Sequence, residues 1–261
     1  MVEEMPWDGG IDMEKSFLNR EQAMLTVMVQ AGDPDRVKEL MDRSTPLGAE
    51  GFGVQLERMK PEYKKQEIYK ELIDHTDLPV YVTNYRTYEN EGRTDEDLAE
   101  ELLKIADHGK ILCDVMGDYF DPQPGELTVD SAAVEKQKQL IAQLHKKGAE
   151  VLMSSHVFTY TPAERVLEIA LAHQERGADI AKIVTGAETM EQQLENLKII
   201  QLLKEKLNIP FLFLCVGECG LLRRIGGQLG CCMYLCVYEH DDYATPAQPL
   251  LTDVKVLREL L

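Results

Sequence analysis

The chain has 261 residues, enough for one large domain or two small ones, and 44% of them are hydrophobic, so it can bury a substantial core. Against 28 basic residues stand 46 acidic ones, giving a formal charge of -18 that repels nucleic acid and anionic membranes and excludes both as main partners. An acidic chain that takes an anionic substrate needs a local cationic pocket.

No apolar run approaches the roughly 18 residues of a membrane span. Residues 1–17 are acidic and lack the apolar centre of a signal peptide, so a cytoplasmic protein is expected. Six cysteines are present, five of them from Cys215 to Cys236. Cys215 and Cys219 are four apart, and Cys231 and Cys232 are adjacent, which fits zinc spacing poorly. Cys215, Cys232 and Cys236 lie in apolar strand-like runs, where reduced core thiols are expected. The residues make no case for a metal or an organic cofactor.

Residues 1–22 are polar, carry Pro6, Gly9 and Gly10, and read as an extension packed outside the main fold. Regular alternation begins after them. Strands are expected at 24–30, 52–57, 79–84, 110–115, 150–154, 179–184, 210–215 and 231–237, each a short, largely apolar run. Helices are expected between them at 33–43, 61–73, 94–107, 130–147, 162–176, 190–206, 219–228 and 252–260. Thr94 is placed to cap the third helix, and Pro162 opens the fifth. A Pro/Gly-containing loop fills 121–127. Eight strands alternating with eight helices predict an α/β fold, a (β/α)8 TIM barrel in a single domain at 23–261 behind the extension at 1–22. The rival is a doubly wound sheet. It is disfavoured because no Gly-rich dinucleotide fingerprint follows the first strand.

In a barrel the site is built at the C-terminal ends of the strands. The stretch from Gly177 to Val184 is a short apolar strand with Lys182 inside it. Burying an ammonium is costly and disfavours the charged form, which leaves an amine able to attack a carbonyl and form an imine. The bland alternative is a lysine that ends the strand and snorkels to water. His156 follows the neighbouring strand at the same end, and an imidazole there can move protons in both directions near neutral pH. His75, His108, His145 and His173 fall on helices or their ends and read as structural, while His240 is ambiguous. Arg223 and Arg224 follow strand seven and suit a carboxylate, or else pair with surface acids. Asp114, in an apolar strand, either orients Lys182 or a polar group of the ligand, or is a satisfied core acid. Gln55 and Glu57 share one face of strand two, and strand three ends at Asn84, Tyr85 and Arg86.

Four motifs carry a resemblance. They are Ser154-Ser155-His156-Val157-Phe158 with Thr161-Pro162; Gly177 to Ile183 with its lysine; Gly220-Leu-Leu-Arg-Arg224-Ile-Gly-Gly; and Pro246-Ala247-Gln248. In order and spacing the chain from about residue 23 resembles the type I 3-dehydroquinate dehydratases, strongly from 150 onward and weakly before. The resemblance implies a metal-free hydro-lyase of the shikimate pathway and aromatic amino acid biosynthesis. Lys182 would form the imine. His156 would act as general base and then general acid. Arg224 would bind the substrate carboxylate, Gln248 would close over it from a loop, and Arg86 would lie near the ring hydroxyls. It also suggests a homodimer.

The sequence departs from the family pattern at strand two, where Gly53 and Gln55 stand for a glutamate and an arginine; Gln55 is kept as a candidate contact. Met116 stands for a glutamate on strand four and Ala244 for a loop serine, and Glu89 and Glu91 fall out of register with the family's Glu-Gly-Gly. Changing partners of buried hydroxyls weighs on substrate choice more than on imine chemistry. Dehydration of 3-dehydroquinate is therefore the first expectation. A relative using the same chemistry on another keto carboxylate, as lyase or aldolase, is the second. A non-catalytic carboxylate-binding barrel, which would need neither Lys182 nor His156, is the third.

Overall fold

The computed structural model describes residues 15–261, so the first 14 residues of the expected extension lie outside it. Eight parallel strands run β1 (Met24–Val29), β2 (Gly51–Gln55), β3 (Val80–Thr83), β4 (Ile111–Met116), β5 (Glu150–His156), β6 (Ile180–Gly186), β7 (Phe211–Val216) and β8 (Met233–Cys236). The helices α1 (Pro34–Ser44), α2 (Gln66–Asp74), α3 (Asp95–Ile105), α4 (Ser131–Lys146), α5 (Ala163–Glu175), α6 (Met190–Lys206), α7 (Leu222–Leu229) and α8 (Leu251–Leu260) alternate with them. This is the expected (β/α)8 barrel. No helix among the described residues is long and apolar enough to cross a membrane.

From β1 to β7 each strand pairs with the next, and β8 pairs with β1. The seam between β7 and β8 is thinner. There Cys232 N donates to Phe211 O at 2.9 Å, and the Cys231 thiol lies 3.5 Å from the Phe213 amide nitrogen. All six cysteines are free. Burial pushes the thiols of Cys215 up to about 11 and of Cys231 and Cys236 up to about 12, away from reactivity.

The strands are buried on both faces, which explains their continuous apolar runs. Alternation still assigns the faces. Ala181 and Ile183 alternate with Ile180, Lys182 and Val184, and the cavity that takes Lys182 also takes Val184. The parallel register sets Lys182 beside Ser154 of β5 and His156 beside Val184 of β6. Helix ends follow their local chemistry. Thr94 and Asp97 form a capping box on α3, and the Asp130 side chain caps α4. Differences from expectation are small: a short 3-10 turn at Pro61–Tyr63 precedes α2, and α7 starts at Leu222, after a loop.

Of the expected extension, Ser16 and Phe17 pack into the fold, while residues 19–22 are exposed. Phe17 is 2% exposed, and its ring meets Tyr81 edge-on at 6.4 Å. Ser16 Oγ and Phe17 N both donate to the Glu150 carboxylate at the start of β5. Phe17 packs at the base of the barrel in one core cluster with Met24 and Tyr81. Phe17→Ala should therefore lower the unfolding free energy by about 3 kcal/mol, measured by urea denaturation.

Candidate active site

A cavity of about 290 Å³ opens at the C-terminal ends of the strands and is lined by Lys182, His156, Arg223, Gln55 and Gln248, among others. Larger surface hollows lie elsewhere, but they hold no such convergence of nucleophile, base and cation.

Lys182 is 4% exposed, yet it is not isolated among apolar groups as the sequence suggested. Its ammonium donates to Tyr85 Oη at 2.7 Å and Tyr81 Oη at 3.1 Å, and lies 3.3 Å from Asp114 Oδ2. Asp114, on β4, is fully buried and satisfied. It accepts from the Tyr81 hydroxyl, from Tyr85 Oη at 2.5 Å and from Ser154 Oγ at 2.5 Å. Burial, reinforced by the Asp114 charge, pushes both tyrosines well above their ordinary range, so they remain phenols at any ordinary pH.

His156 is the last residue of β5, and its Nδ1 lies 2.7 Å from Glu126 Oε2. The same carboxylate oxygen accepts the His156 backbone N–H at 2.9 Å. A carboxylate on Nδ1 assigns the proton there and leaves Nε2 as the free base. The ring is held between Tyr85, edge-on at 5.0 Å, and Phe158, stacked at 5.6 Å. Phe158 is exposed and takes a left-handed backbone (φ 58°). A Cβ at Gly186 would strike its carbonyl at 2.6 Å, so glycine there is what lets this loop pack down over the end of β6.

The arginines differ from expectation. Arg224 is exposed and does not line the cavity, whereas Arg223 is 8% exposed and does. Arg223 Nε donates to Cys215 O at 3.0 Å, and its other nitrogens have no hydrogen-bond partner among the described residues. Burial lowers its guanidinium to about 10, which still leaves it charged at neutral pH. Arg86 is also turned away from the cavity. It grips Asp95 at 2.6 and 2.8 Å and Asp118 at 2.9 Å, tying together the loops after β3 and β4. Tyr85, one residue earlier, is the side chain that faces in. Gln248 accepts from Gln30 Nε2 and from Thr245 N, each at 3.0 Å, and His240 braces its backbone carbonyl at 2.8 Å.

A family model for type I 3-dehydroquinase matches residues 25–261. The chain belongs to the type I 3-dehydroquinase family. A 3-dehydroquinate dehydratase of Methanosarcina acetivorans is 26% identical over 258 residues, covering 97% of this chain and 98% of that one. One of Alkaliphilus oremlandii is 34% identical over 106 residues, a match spanning only 40% of either chain. The crystal structure of 3-dehydroquinate dehydratase from Geobacillus kaustophilus shares the fold, with a TM-score of 0.77 and 18% identity over 92% of this chain and 91% of that one.

Within this family frame, the departures acquire physical reasons. A Cβ at Gly53 would overlap the Met28 thioether, which lies opposite it in register, so the methionine fills the space a strand-two side chain would use. Met116 is buried outside the cavity lining, and Thr245 lines the cavity next to Ala244. Glu89 and Glu91 are exposed, and neither lines the cavity. The carboxylate on His156 comes instead from Glu126, inside the 121–127 loop, at a left-handed residue (φ 49°). No periodicity marks Glu126, so sequence reasoning passed over it; Tyr81 was hidden as an ordinary strand aromatic, and Tyr85 was placed at the end of strand three without a role.

Glu57 lines the cavity after β2, 1% exposed, and accepts from Thr83 Oγ1 at 2.8 and 3.0 Å. Burial raises its carboxyl to about 7, against 4.5 for a free one. Between those values the unfolded chain loses the proton first, so folded stability falls as pH rises from about 4.5 to 7. Glu57→Gln should abolish that penalty. Its stability relative to the parent should improve by about 2 kcal/mol between pH 5 and pH 8 in paired urea titrations.

Proposed function

We propose that the protein dehydrates 3-dehydroquinate to 3-dehydroshikimate through an imine on Lys182. One observation carries this reading: a buried lysine, a carboxylate-oriented histidine and a buried arginine with free nitrogens converge on one cavity at the catalytic end of the barrel. The family membership supports the substrate.

The substrate carboxylate pairs with Arg223, one residue before the expected Arg224, in a wall otherwise built from Val184, Leu214 and Val216. Lys182 adds to the ring ketone and loses water to give the imine, an electron sink for the neighbouring carbon. His156 Nε2 takes the proton from that carbon, leaving an enamine, while Glu126 stabilises the imidazolium that forms. The imidazolium then gives its proton to the departing hydroxyl, and hydrolysis of the imine frees the product. Gln55 and Gln248 contact the hydroxyl side; Arg86 keeps the loops in place from outside. The reaction places the protein in the shikimate pathway, and we read it as a cytoplasmic homodimer.

Met28 in the space above Gly53 favours a second reading, in which the same chemistry serves a different keto carboxylate. A steady-state assay for the conjugated product separates the two. The parent should convert 3-dehydroquinate, Lys182→Met should abolish turnover, and His156→Ala should lower kcat by a factor of about 100 or more. Arg223→Met should raise KM more than Arg224→Met does. A folded parent that binds but never dehydrates 3-dehydroquinate would move the assignment to another keto acid.

A further inference from the structure

We propose that Tyr85 is a catalytic residue that carries protons between Lys182 and Asp114 during imine formation, separating that task from the one performed by His156. The assignment rests on the imine chemistry proposed above. It begins from a difficulty in the geometry. An ammonium held by a carboxylate and two hydroxyls has no lone pair to offer a ketone, so its proton must go to a group within reach. Asp114, fully buried, is the carboxylate in reach, and its direct contact with Nζ, 3.3 Å, is longer than either link of the path through Tyr85.

Tyr85 fits the task. Its hydroxyl accepts from Lys182 Nζ at 2.7 Å and donates to Asp114 Oδ2 at 2.5 Å, a continuous donor–acceptor chain. It lines the cavity, so the same oxygen reaches an adduct on Nζ. Tyr81 makes the longer contact to Nζ, 3.1 Å, is fully buried and does not line the cavity. Tyr81 is therefore a positioning residue. His156 is oriented through Nδ1 by Glu126, with the Tyr85 ring edge against its own, and its Nε2 is assigned above to the carbon proton.

The steps balance without a phenolate. One proton leaves Nζ for the Tyr85 oxygen as the phenolic proton moves to Asp114. The neutral amine adds to the carbonyl; the new C–N bond sends the carbonyl π pair to oxygen, which takes a proton from nitrogen to give the carbinolamine. Asp114 then returns its proton through Tyr85 to the carbinolamine hydroxyl. The C–O bond breaks, water leaves, and the nitrogen lone pair closes the C=N bond. The net change is ammonium plus ketone to protonated imine plus water.

Rapid-quench borohydride trapping on the full-length protein tests this, with adducts read by intact mass and two probes, 3-dehydroquinate and pyruvate. Tyr85→Phe keeps the ring packing and should slow adduct formation by about a hundredfold, with probe affinity changed less than about twofold. Asp114→Asn should slow it similarly, and the double variant should lose no more than the worse single one, because both act in one relay. Tyr81→Phe should fall well short of Tyr85→Phe. A folded Tyr85→Phe that traps at the parental rate, a loss in Tyr81→Phe as large as in Tyr85→Phe, or single losses that multiply in the double variant would each overturn the relay. If the parent traps neither probe, the imine reading fails and takes the relay with it. If it traps pyruvate alone, the ring substrate is rejected and the pyruvate comparison decides the relay.

Discussion

The pairing of Lys182 with Asp114 inside the barrel is the constraint on which the site depends. A lone charge at either position would be too costly to bury, and breaking such a pair costs several kcal/mol because the survivor is left uncompensated. The barrel meets this by surrounding the pair with three hydroxyls, from Tyr81, Tyr85 and Ser154, so that the carboxylate accepts from each. Those hydroxyls come from β3, the loop that follows it and β5, while the charged partners come from β4 and β6. Neighbouring strands are thus held together at their catalytic end by one polar cluster. The same cluster fixes where the amine points, which is toward the open cavity.

Charge is organised on two scales. The whole chain is strongly acidic, which would slow the approach of an anionic substrate. Locally, Arg223, Lys182 and Arg58 line the cavity against Glu57 and Glu126. Glu126 is engaged by His156, and burial raises Glu57 toward its neutral form, so the field at the cavity wall favours a carboxylate. The Arg223 nitrogens without partners are where that field is least satisfied.

The barrel was legible because its determinants are local: short apolar runs, helical periodicity, and helix starts such as Thr94 and Pro162. Lys182 was legible for the same reason, as a charge inside an apolar strand. What failed was direction. Arg86 and Arg224 were each one residue from the side chain that faces the cavity, because a motif carries residue order while the pleat and the helix turn decide which way each points. Glu126 was illegible because its loop has no period, and a left-handed glutamate leaves no mark in sequence. Gly53 read as a missing contact. Only the register shows Met28 occupying the vacated space, a swap between neighbouring strands.

The central claim is that Lys182, freed of its proton within the Asp114 cluster, bonds covalently to a keto carboxylate anchored by Arg223. A crystal structure of the protein reduced with borohydride in the presence of 3-dehydroquinate tests it most directly. The account predicts a covalent bond from Nζ to the former ketone carbon, the ligand carboxylate on Arg223, and His156 Nε2 facing the adjacent carbon. An unmodified Lys182 still paired with Asp114, with the ligand carboxylate bound away from Arg223, would contradict it.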